Sequence, residues 1–194
     1  MTYVKDGAMI ILSSPSGAGK TTLVKKISKL DNFSISISHT TREPRSNENE
    51  GEDYFFTSQE DFKKLINENK FLEYAKVFDN YYGSSKEVVL NKLKNSQNVI
   101  FDIDWQGTQQ IRNQNLNYKI VTIFLLPPSR DELYSRLLNR DRNDEKIAKE
   151  RMTQFHEDVL HWKDYDFVVI NDDLENCYKK IIKFIEPGSN KKDL

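Results

Sequence analysis

Short, mostly apolar runs alternate along the chain with stretches in which apolar residues recur every three or four positions. Four runs predict buried strands: residues 9–12, 99–103, 120–125 and 167–170. Stretches with helical spacing follow the strands, from residues 21–29 to residues 174–185. This alternation is typical of an α/β fold, so we expect a parallel sheet flanked by helices and joined by right-handed crossovers.

One segment, beginning at residue 33 and ending near residue 85, departs from this alternation. It is rich in Ser, Thr, Asn, Tyr and Glu, and its apolar residues form two short alternating runs at 54–56 and 71–78. A helix capped by Ser58 is predicted between these runs. We expect a mixed α and β insert between the first two parallel strands.

Composition limits the classes of function. The 194 residues carry a formal net charge of −1, whereas a nucleic-acid-binding protein of this size would usually be basic, so we expect no nucleic-acid partner. The apolar runs are too short to span a bilayer, and the N-terminus has no secretory signal. Because the single Cys177 cannot form an internal disulfide, we expect a cytoplasmic protein with a small buried thiol. The oligomeric state is left open.

A glycine-containing turn joins the first predicted strand to the first predicted helix. In this context Gly17, Gly19, Lys20 and Thr21 form a phosphate-binding loop (P-loop), whose backbone N–H groups cradle a polyphosphate. Lys20 would contact the β- and γ-phosphates, and the Thr21 hydroxyl would coordinate Mg²⁺. Ser14 replaces the first glycine of the usual pattern, and the alternative is a plain turn before a capped helix. The residues predicted to hold ATP here are Ser14, Pro15, Ser16, Gly17, Ala18, Gly19, Lys20, Thr21 and Thr22.

Seven further segments together resemble the sequence motifs of one known protein family. They are Ser-His-Thr-Thr-Arg-Glu-Pro-Arg at 38–45, Gly-Glu-Asp-Tyr-Phe-Phe at 51–56, Phe-Leu-Glu-Tyr-Ala at 71–75, Asn-Tyr-Tyr-Gly-Ser at 80–84, Asp-Ile-Asp-Trp-Gln-Gly at 102–107, Pro-Pro-Ser at 127–129 and Val-Ile-Asn-Asp-Asp at 169–173. In this order, over about residues 9–185, the chain resembles the guanylate kinase family. The resemblance implies a P-loop NTP-hydrolase-like fold and Mg²⁺-dependent transfer of the terminal phosphoryl group of ATP to GMP, and to dGMP, in purine nucleotide metabolism.

The resemblance also implies a division of the chain. The core domain would comprise residues 1–32, 86–128 and 164–194. Residues 33–85 would form the GMP-binding insert, and residues 129–163 would form a helical lid with its following helix.

The insert contains residues suited to bind GMP, the phosphoryl acceptor, in what is called the acceptor side below. Arg42 and Arg45 present planar donor forks that suit a phosphate, and Tyr54 and Tyr82 could donate hydroxyls to the same group. A carboxylate from Glu73 matches the adjacent N1 and N2 donors of guanine, which adenine lacks. The hydroxyl of Ser38 would donate to O6, and the resemblance adds contacts from Ser84 and Asp104. The alternatives are solvated loop arginines and a solvent-facing glutamate.

The ATP-binding side of the predicted site, called the donor side below, is formed by residues from several parts of the chain. The resemblance assigns Arg140 and Arg151 to the lid, where they would act with Lys20, Arg42 and Arg45 on the transferring phosphoryl group. Arg136 and Arg142 are possible helpers, or ordinary solvated charges. Asp102, at the end of a strand beside the P-loop, would hold a water of the Mg²⁺ shell. By the same resemblance Asn171 would contact adenine; the alternative is a cap for the next helix.

Asn47 and Asp141 stand where the family usually has glycine, and we predict a positive φ at both.

Two other functions are weighed against the kinase. A non-catalytic guanylate kinase-like interaction module would typically lack the intact P-loop. A regulatory GTP switch would need an Asn-Lys-x-Asp loop, but residues 190–193, which fit it, lie in a polar tail.

Overall fold

The computed structural model describes residues 6–77, 79–140 and 144–186. The strands, in chain order, are β1 (Met9–Ser13), β2 (Phe33–Ile35), β3 (Ser38–Thr40), β4 (Phe55–Phe56), β5 (Phe71–Val77), β6 (Asn80–Ser85), β7 (Asn98–Asp102), β8 (Ile120–Leu126) and β9 (Phe167–Ile170). The helices are α1 (Lys20–Ile27), α2 (Gln59–Asn67), α3 (Lys86–Lys94), α4 (Trp105–Asn113), α5 (Arg130–Arg140), α6 (Glu145–Val159) and α7 (Leu174–Ile185), with a short 3₁₀ helix at Trp162–Asp164.

A five-stranded sheet in the order β2-β7-β1-β8-β9 forms the centre of the fold, and all of its strand pairs are parallel. The predicted α/β class is therefore confirmed. β2 differs from expectation, because residues 33–35 were assigned to the insert but pair with β7 in this central sheet. The division into core, insert and lid otherwise stays a prediction.

Apolar side chains cover both faces of the central sheet, as expected for a parallel sheet between helices. On one face, strand residues such as Ile10 and Ile123 pack with α1 and α7, where Leu23 and Ile181 are fully buried. Cys177 belongs to this core, and burial raises its pKa to about 11, so the expectation of a buried thiol is confirmed. The opposite face packs against α3 and α4.

The remaining strands form a second sheet in the order β4-β3-β6-β5, with antiparallel pairing of β6 to both of its neighbours. The predicted helix between the aromatic runs is α2, and the Ser58 hydroxyl accepts the Asp61 N–H at its start. α5 and α6 pack on each other through Leu133, Leu137, Ala148 and Met152. Within the described ranges, no helix is both long and apolar enough to cross a membrane.

Candidate active site

The P-loop joins the end of β1 to the start of α1, as predicted. Gly17 and Gly19 adopt φ values of 87° and 96°, which side chains other than glycine rarely tolerate. A Cβ at Gly19 would lie 2.4 Å from Nδ2 of Asn171, and one at Gly17 would lie 3.0 Å from Leu137 on α5. Both glycines are thus required by backbone conformation and by the close approach of neighbouring elements.

Lys20 and Thr21 are the first residues of α1 and both contact the end of β7. Lys20 Nζ lies 2.8 Å from the Asp102 carboxylate and donates to the carbonyl of Ile103 at 2.9 Å. The Thr21 hydroxyl donates to the other oxygen of Asp102 at 2.8 Å. Adjacent strands of a parallel sheet therefore bring together the three groups that the sequence assigned to phosphate and metal.

These residues suit a Mg²⁺ ion that is held mainly by water and substrate phosphates. Within the described chain, no cluster of three or more His, Cys, Asp or Glu residues could hold a metal ion. Mg²⁺, however, keeps several waters and is commonly bound by one or two protein oxygens together with substrate phosphates. Thr21 and Asp102 supply oxygens of that kind beside the P-loop.

Two lid arginines converge on the P-loop. Arg140, at the end of α5, donates to the Ser16 hydroxyl at 3.3 Å, and Arg151 of α6 donates to the same oxygen at 2.8 Å. Arg136 instead pairs with Glu132 at 3.0 Å and donates to the Asn171 carbonyl at 3.4 Å. Arg142 and Asp141 lie outside the described residues, as does the tail at 190–193.

Asn171 contacts the P-loop directly. It follows β9, is only 5% exposed, and its Nδ2 donates to the Ala18 carbonyl at 2.7 Å. Its backbone N–H donates to the Leu126 carbonyl at 2.8 Å, which extends the pairing of β8 and β9. The side chain thus helps to hold the loop, and its contact with adenine stays a prediction.

The second sheet places Glu73 in a buried position. β5 changes register between Phe71 and Glu73, and this irregularity turns Glu73 to the buried side, where it is 3% exposed. Ser84 of β6 lies opposite and donates to Glu73 at 2.6 Å. Ser38 of β3 pairs with Ser84 from the other side and is also buried. Three neighbouring strands therefore bring together the residues predicted to recognise guanine.

Burial has a strong effect on this carboxyl group. It raises the pKa of Glu73 to about 7, against the hydrogen bond from Ser84, and the nearby charge of Asp104 acts in the same direction as burial. A Cβ at Gly107, in the first turn of α4, would lie 2.5 Å from Oε2 of Glu73. Gly107 therefore leaves the space that the carboxylate occupies.

Three of the predicted phosphate-binding side chains lie close together. The Arg42 guanidinium lies 5.4 Å from the ring centre of Tyr54, and the rings of Tyr54 and Tyr82 are 6.1 Å apart. Burial, followed by the charge of Asp102, raises the pKa of Tyr54 to about 12, so its hydroxyl keeps its proton and can donate it.

The conformational prediction for Asn47 is wrong. Among the described residues, positive φ outside glycine occurs at Asn32, Asn69, Ser96 and Asn115. Asn47 lies in a turn that the Glu48 N–H closes on the Arg45 carbonyl at 3.1 Å. A common β-turn of this kind has negative φ at both central residues, so the position needs neither glycine nor a residue that tolerates positive φ.

Asp104 lies just before α4, and its charge affects carboxyl groups of both β5 and α6. It caps α4 by accepting the Gly107 N–H at 3.0 Å. Next to it, the ring of Trp105 stacks on that of His161, with centres 3.7 Å apart, and joins the segment after α6 to α4. Burial raises the pKa of Asp158 on α6, and the charge of Asp104 acts in the same direction. The end of α6 therefore lies near Asp104, one of the residues predicted to contact GMP.

Sequence reasoning missed three of these residues: Glu48, Gly107 and Asp158. Glu48 follows Arg45 by three residues, and that spacing of opposite charges was a usable signal. Gly107 ends the segment 102–107 that carried the resemblance, but nothing there indicated its role, and Asp158 gave no signal at all. The residues that they affect or that affect them, Glu73 and Asp104, are 34 and 54 residues away along the chain.

Comparison with known proteins gives a consistent result. The family model described as "Guanylate kinase" matches residues 6–187. A guanylate kinase of Rickettsia prowazekii is 47% identical over 186 residues, covering 95% of this chain and 93% of the relative. One of Photorhabdus laumondii is 45% identical over 174 residues, covering 88% and 83%. The crystal structure of guanylate kinase from Anaplasma phagocytophilum matches with a TM-score of 0.74 at 29% identity, covering 94% of this chain and 89% of that one.

Proposed function

The chain belongs to the guanylate kinase family and transfers the terminal phosphoryl group of ATP to GMP, and we propose that the residues described above are those that bind and join the two nucleotides. Glu73 carries this proposal. A carboxylate that is 3% exposed and held by Ser84 is costly to bury unless a ligand meets it with donors, and guanine offers two adjacent N–H donors.

On the donor side, the backbone N–H groups of residues 16–21 bind the phosphates of ATP. Lys20 leaves Asp102 to contact the β- and γ-phosphates. Arg140 and Arg151, which already reach Ser16, approach the same phosphates from the lid, and Asn171 lies next to adenine. Thr21 and Asp102 would hold Mg²⁺, which would supply positive charge that offsets the charge of the phosphates.

On the acceptor side, Arg42 and Arg45 bind the GMP phosphate, with hydroxyl donors from Tyr54 and Tyr82. Glu73 and Ser38 read the guanine edge, and Ser84 and Asp104 line the same pocket. Adenine would present a lone pair to Glu73 and leave a buried carboxylate unpaired, which disfavours AMP. dGMP keeps both recognised groups, so it is a second acceptor.

The chemistry needs few protein groups. An oxygen of the GMP phosphate, already anionic, forms a bond to the γ-phosphorus of ATP while the bond to the bridging oxygen breaks, giving GDP and ADP. No side chain has to remove a proton from the attacking oxygen, so the protein positions both phosphates and offsets the charge that develops. Closure of the lid arginines would also exclude water that could hydrolyse ATP.

A coupled assay of ADP release tests this function. With ATP and Mg²⁺ as donor, we expect turnover with GMP and dGMP and far less with AMP, CMP or UMP. Equal rates with GMP and AMP would refute the assignment of Glu73.

A purely non-catalytic interaction module is not favoured, because Gly17, Gly19 and Lys20 are intact. We further propose a cytoplasmic protein of purine nucleotide metabolism.

A further inference from the structure

An acidic side chain lies between the two arginines of the acceptor site. Glu48 is 10% exposed in its side chain, and Nη2 of Arg42 donates to both of its oxygens, at 2.9 and 2.8 Å. Nη1 of Arg45 reaches the same carboxylate at 3.3 Å, and the Arg45 backbone N–H donates to it at 2.9 Å. One carboxylate thus contacts both guanidiniums and the loop backbone between them.

This carboxylate changes the electrostatics of the arginine pair. Two guanidiniums that converge on one phosphate repel each other before the phosphate arrives, and a negative charge between them offsets that repulsion. Partial burial alone would raise the pKa of Glu48, but the Arg45 N–H and the Arg42 guanidinium lower it. The pKa of Arg42 is raised in turn, since the contact with Glu48 outweighs the effect of its burial. Glu48 and Arg42 are therefore both charged at neutral pH.

Glu48 is anchored in its loop. Its own N–H closes the turn on the Arg45 carbonyl at 3.1 Å, while its carboxylate accepts the Arg45 N–H, so main chain and side chain hold the same turn. A guanidinium has five N–H donors, and Arg45 keeps a half-exposed side chain with a single bond to this carboxylate. Arg42 uses Nη2 on Glu48 and one N–H of Nη1 on the Glu43 carbonyl at 2.7 Å, which leaves its Nε–H and the second N–H of Nη1. Both arginines therefore retain donors for a phosphate while Glu48 stays in place.

We propose that Glu48 is a positioning residue for the acceptor phosphate, which fixes the directions of Arg42 and Arg45 before GMP binds. The proposal rests on the proposed function of these arginines. The competing possibility is that the carboxylate occupies the phosphate position and must be displaced by GMP. The two possibilities predict opposite effects of removing its charge.

Glu48→Gln keeps the shape of the side chain and removes the charge that holds both arginines. We expect the KM for GMP, and its Kd by calorimetry, to rise about tenfold or more, since hydrogen bonds between charged groups are the strong ones. The KM for ATP should not change. The inhibition constant of guanosine, which lacks the phosphate, should also not change. Glu52→Gln is the matched control, because it removes an exposed charge four residues away whose recorded partner is Asn49.

The outcomes are decisive in either direction. A KM for GMP that is unchanged or lower in Glu48→Gln would overturn the proposal, the lower value by indicating a competing carboxylate. An equal rise in the guanosine inhibition constant would indicate a merely structural role and would overturn it too. If Glu48→Gln does not fold, as judged by thermal unfolding, the same comparison is made with Glu48→Asp, which keeps the charge and should give a smaller, still phosphate-specific, loss. Wild-type protein without GMP kinase activity would refute the proposed function itself, whereas active wild type with an unaffected variant would refute the role of Glu48 alone.

Discussion

The donor and acceptor sides of the site are built in different ways. The P-loop binds through consecutive backbone N–H groups between β1 and α1, and its conformation depends on Gly17 and Gly19. In the proposed site, the acceptor side would bind through side chains from β3, β5 and β6, from Asp104 just before α4, and from the loop around Arg42 and Glu48. Backbone donors need no particular side chain, so one short motif specifies the donor site, whereas the acceptor site depends on how distant strands meet.

The two sides also differ in what they hold before the nucleotides arrive. At the donor side, Lys20 is paired with Asp102 and has to move to reach a phosphate. At the acceptor side, Glu73 is already fixed by Ser84, and Arg42 and Arg45 by Glu48. Under the proposed function, we therefore expect guanine to enter a preorganised pocket, whereas the triphosphate would be bound by a cation that reorients.

The largest effect is expected at the donor side. Lys20→Ala should lower kcat by about 10³-fold, because it removes a cation from the transferring phosphoryl group. The Kd for GMP should change little, since Lys20 has no assigned contact with the acceptor. Turnover gives the first quantity and calorimetry the second. A large loss of GMP affinity in this variant would mean that the two sides are not separate.

Glu73→Gln should act on the acceptor side alone. The amide accepts at one position only and presents an N–H to a guanine donor, so we expect the kcat/KM for GMP to fall about 10²-fold. The KM for ATP should stay constant, and the preference for GMP over AMP should narrow. Steady-state kinetics with both acceptors measure this directly. Unchanged calorimetric binding of GMP would contradict the assigned role of Glu73.

Gly107→Ala tests whether space, as well as charge, maintains the pocket. The new methyl group would lie 2.5 Å from Oε2 of Glu73, so the carboxylate has to move from its position beside Ser84. We expect the KM for GMP to rise about tenfold with little change for ATP, since one well-placed hydrogen bond to a charged group is lost. Gln109→Ala on the same helix is the control. Equal KM values for the two variants would indicate that the pocket adapts to the extra methyl group.

The sequence predicted the donor side better than the acceptor side for the same structural reason. Strand β1, helix α1 and the loop between them are contiguous, so hydrophobic pattern and glycine spacing were enough to place them. β3 and β6 have no clear alternation, and the burial of Glu73 depends on a register change in β5 that no local pattern shows. The resemblance to a known family supplied the acceptor residues that spacing could not.

Local errors have equally specific causes. β2 has only three residues and is only partly buried at the edge of the central sheet, so no apolar run distinguished it from the polar segment that follows, and it was assigned to the insert. Asn47 was judged by its residue type, whereas the turn that Glu48 closes set its backbone conformation. The contact of Asn171 with Ala18 joins residues 153 positions apart, and only the packing of β9 beside the loop shows it.

An effect of about the same size as that of Gly107→Ala is expected from pH, and it is also confined to the acceptor side. Because burial raises the pKa of Glu73 to about 7, the free protein holds this carboxyl mostly protonated at pH 6 and mostly ionised at pH 8. Only the ionised form accepts from both guanine donors, so GMP should bind about tenfold more tightly at pH 8 than at pH 6 and should release a proton on binding at the lower pH.

The GMP phosphate titrates in the same range. Glu73→Gln is therefore the reference, because phosphate protonation affects both proteins equally and the difference between them isolates Glu73. Calorimetry in buffers of different ionisation enthalpy counts the released protons, and identical counts in the two proteins would show that Glu73 is already ionised before GMP binds.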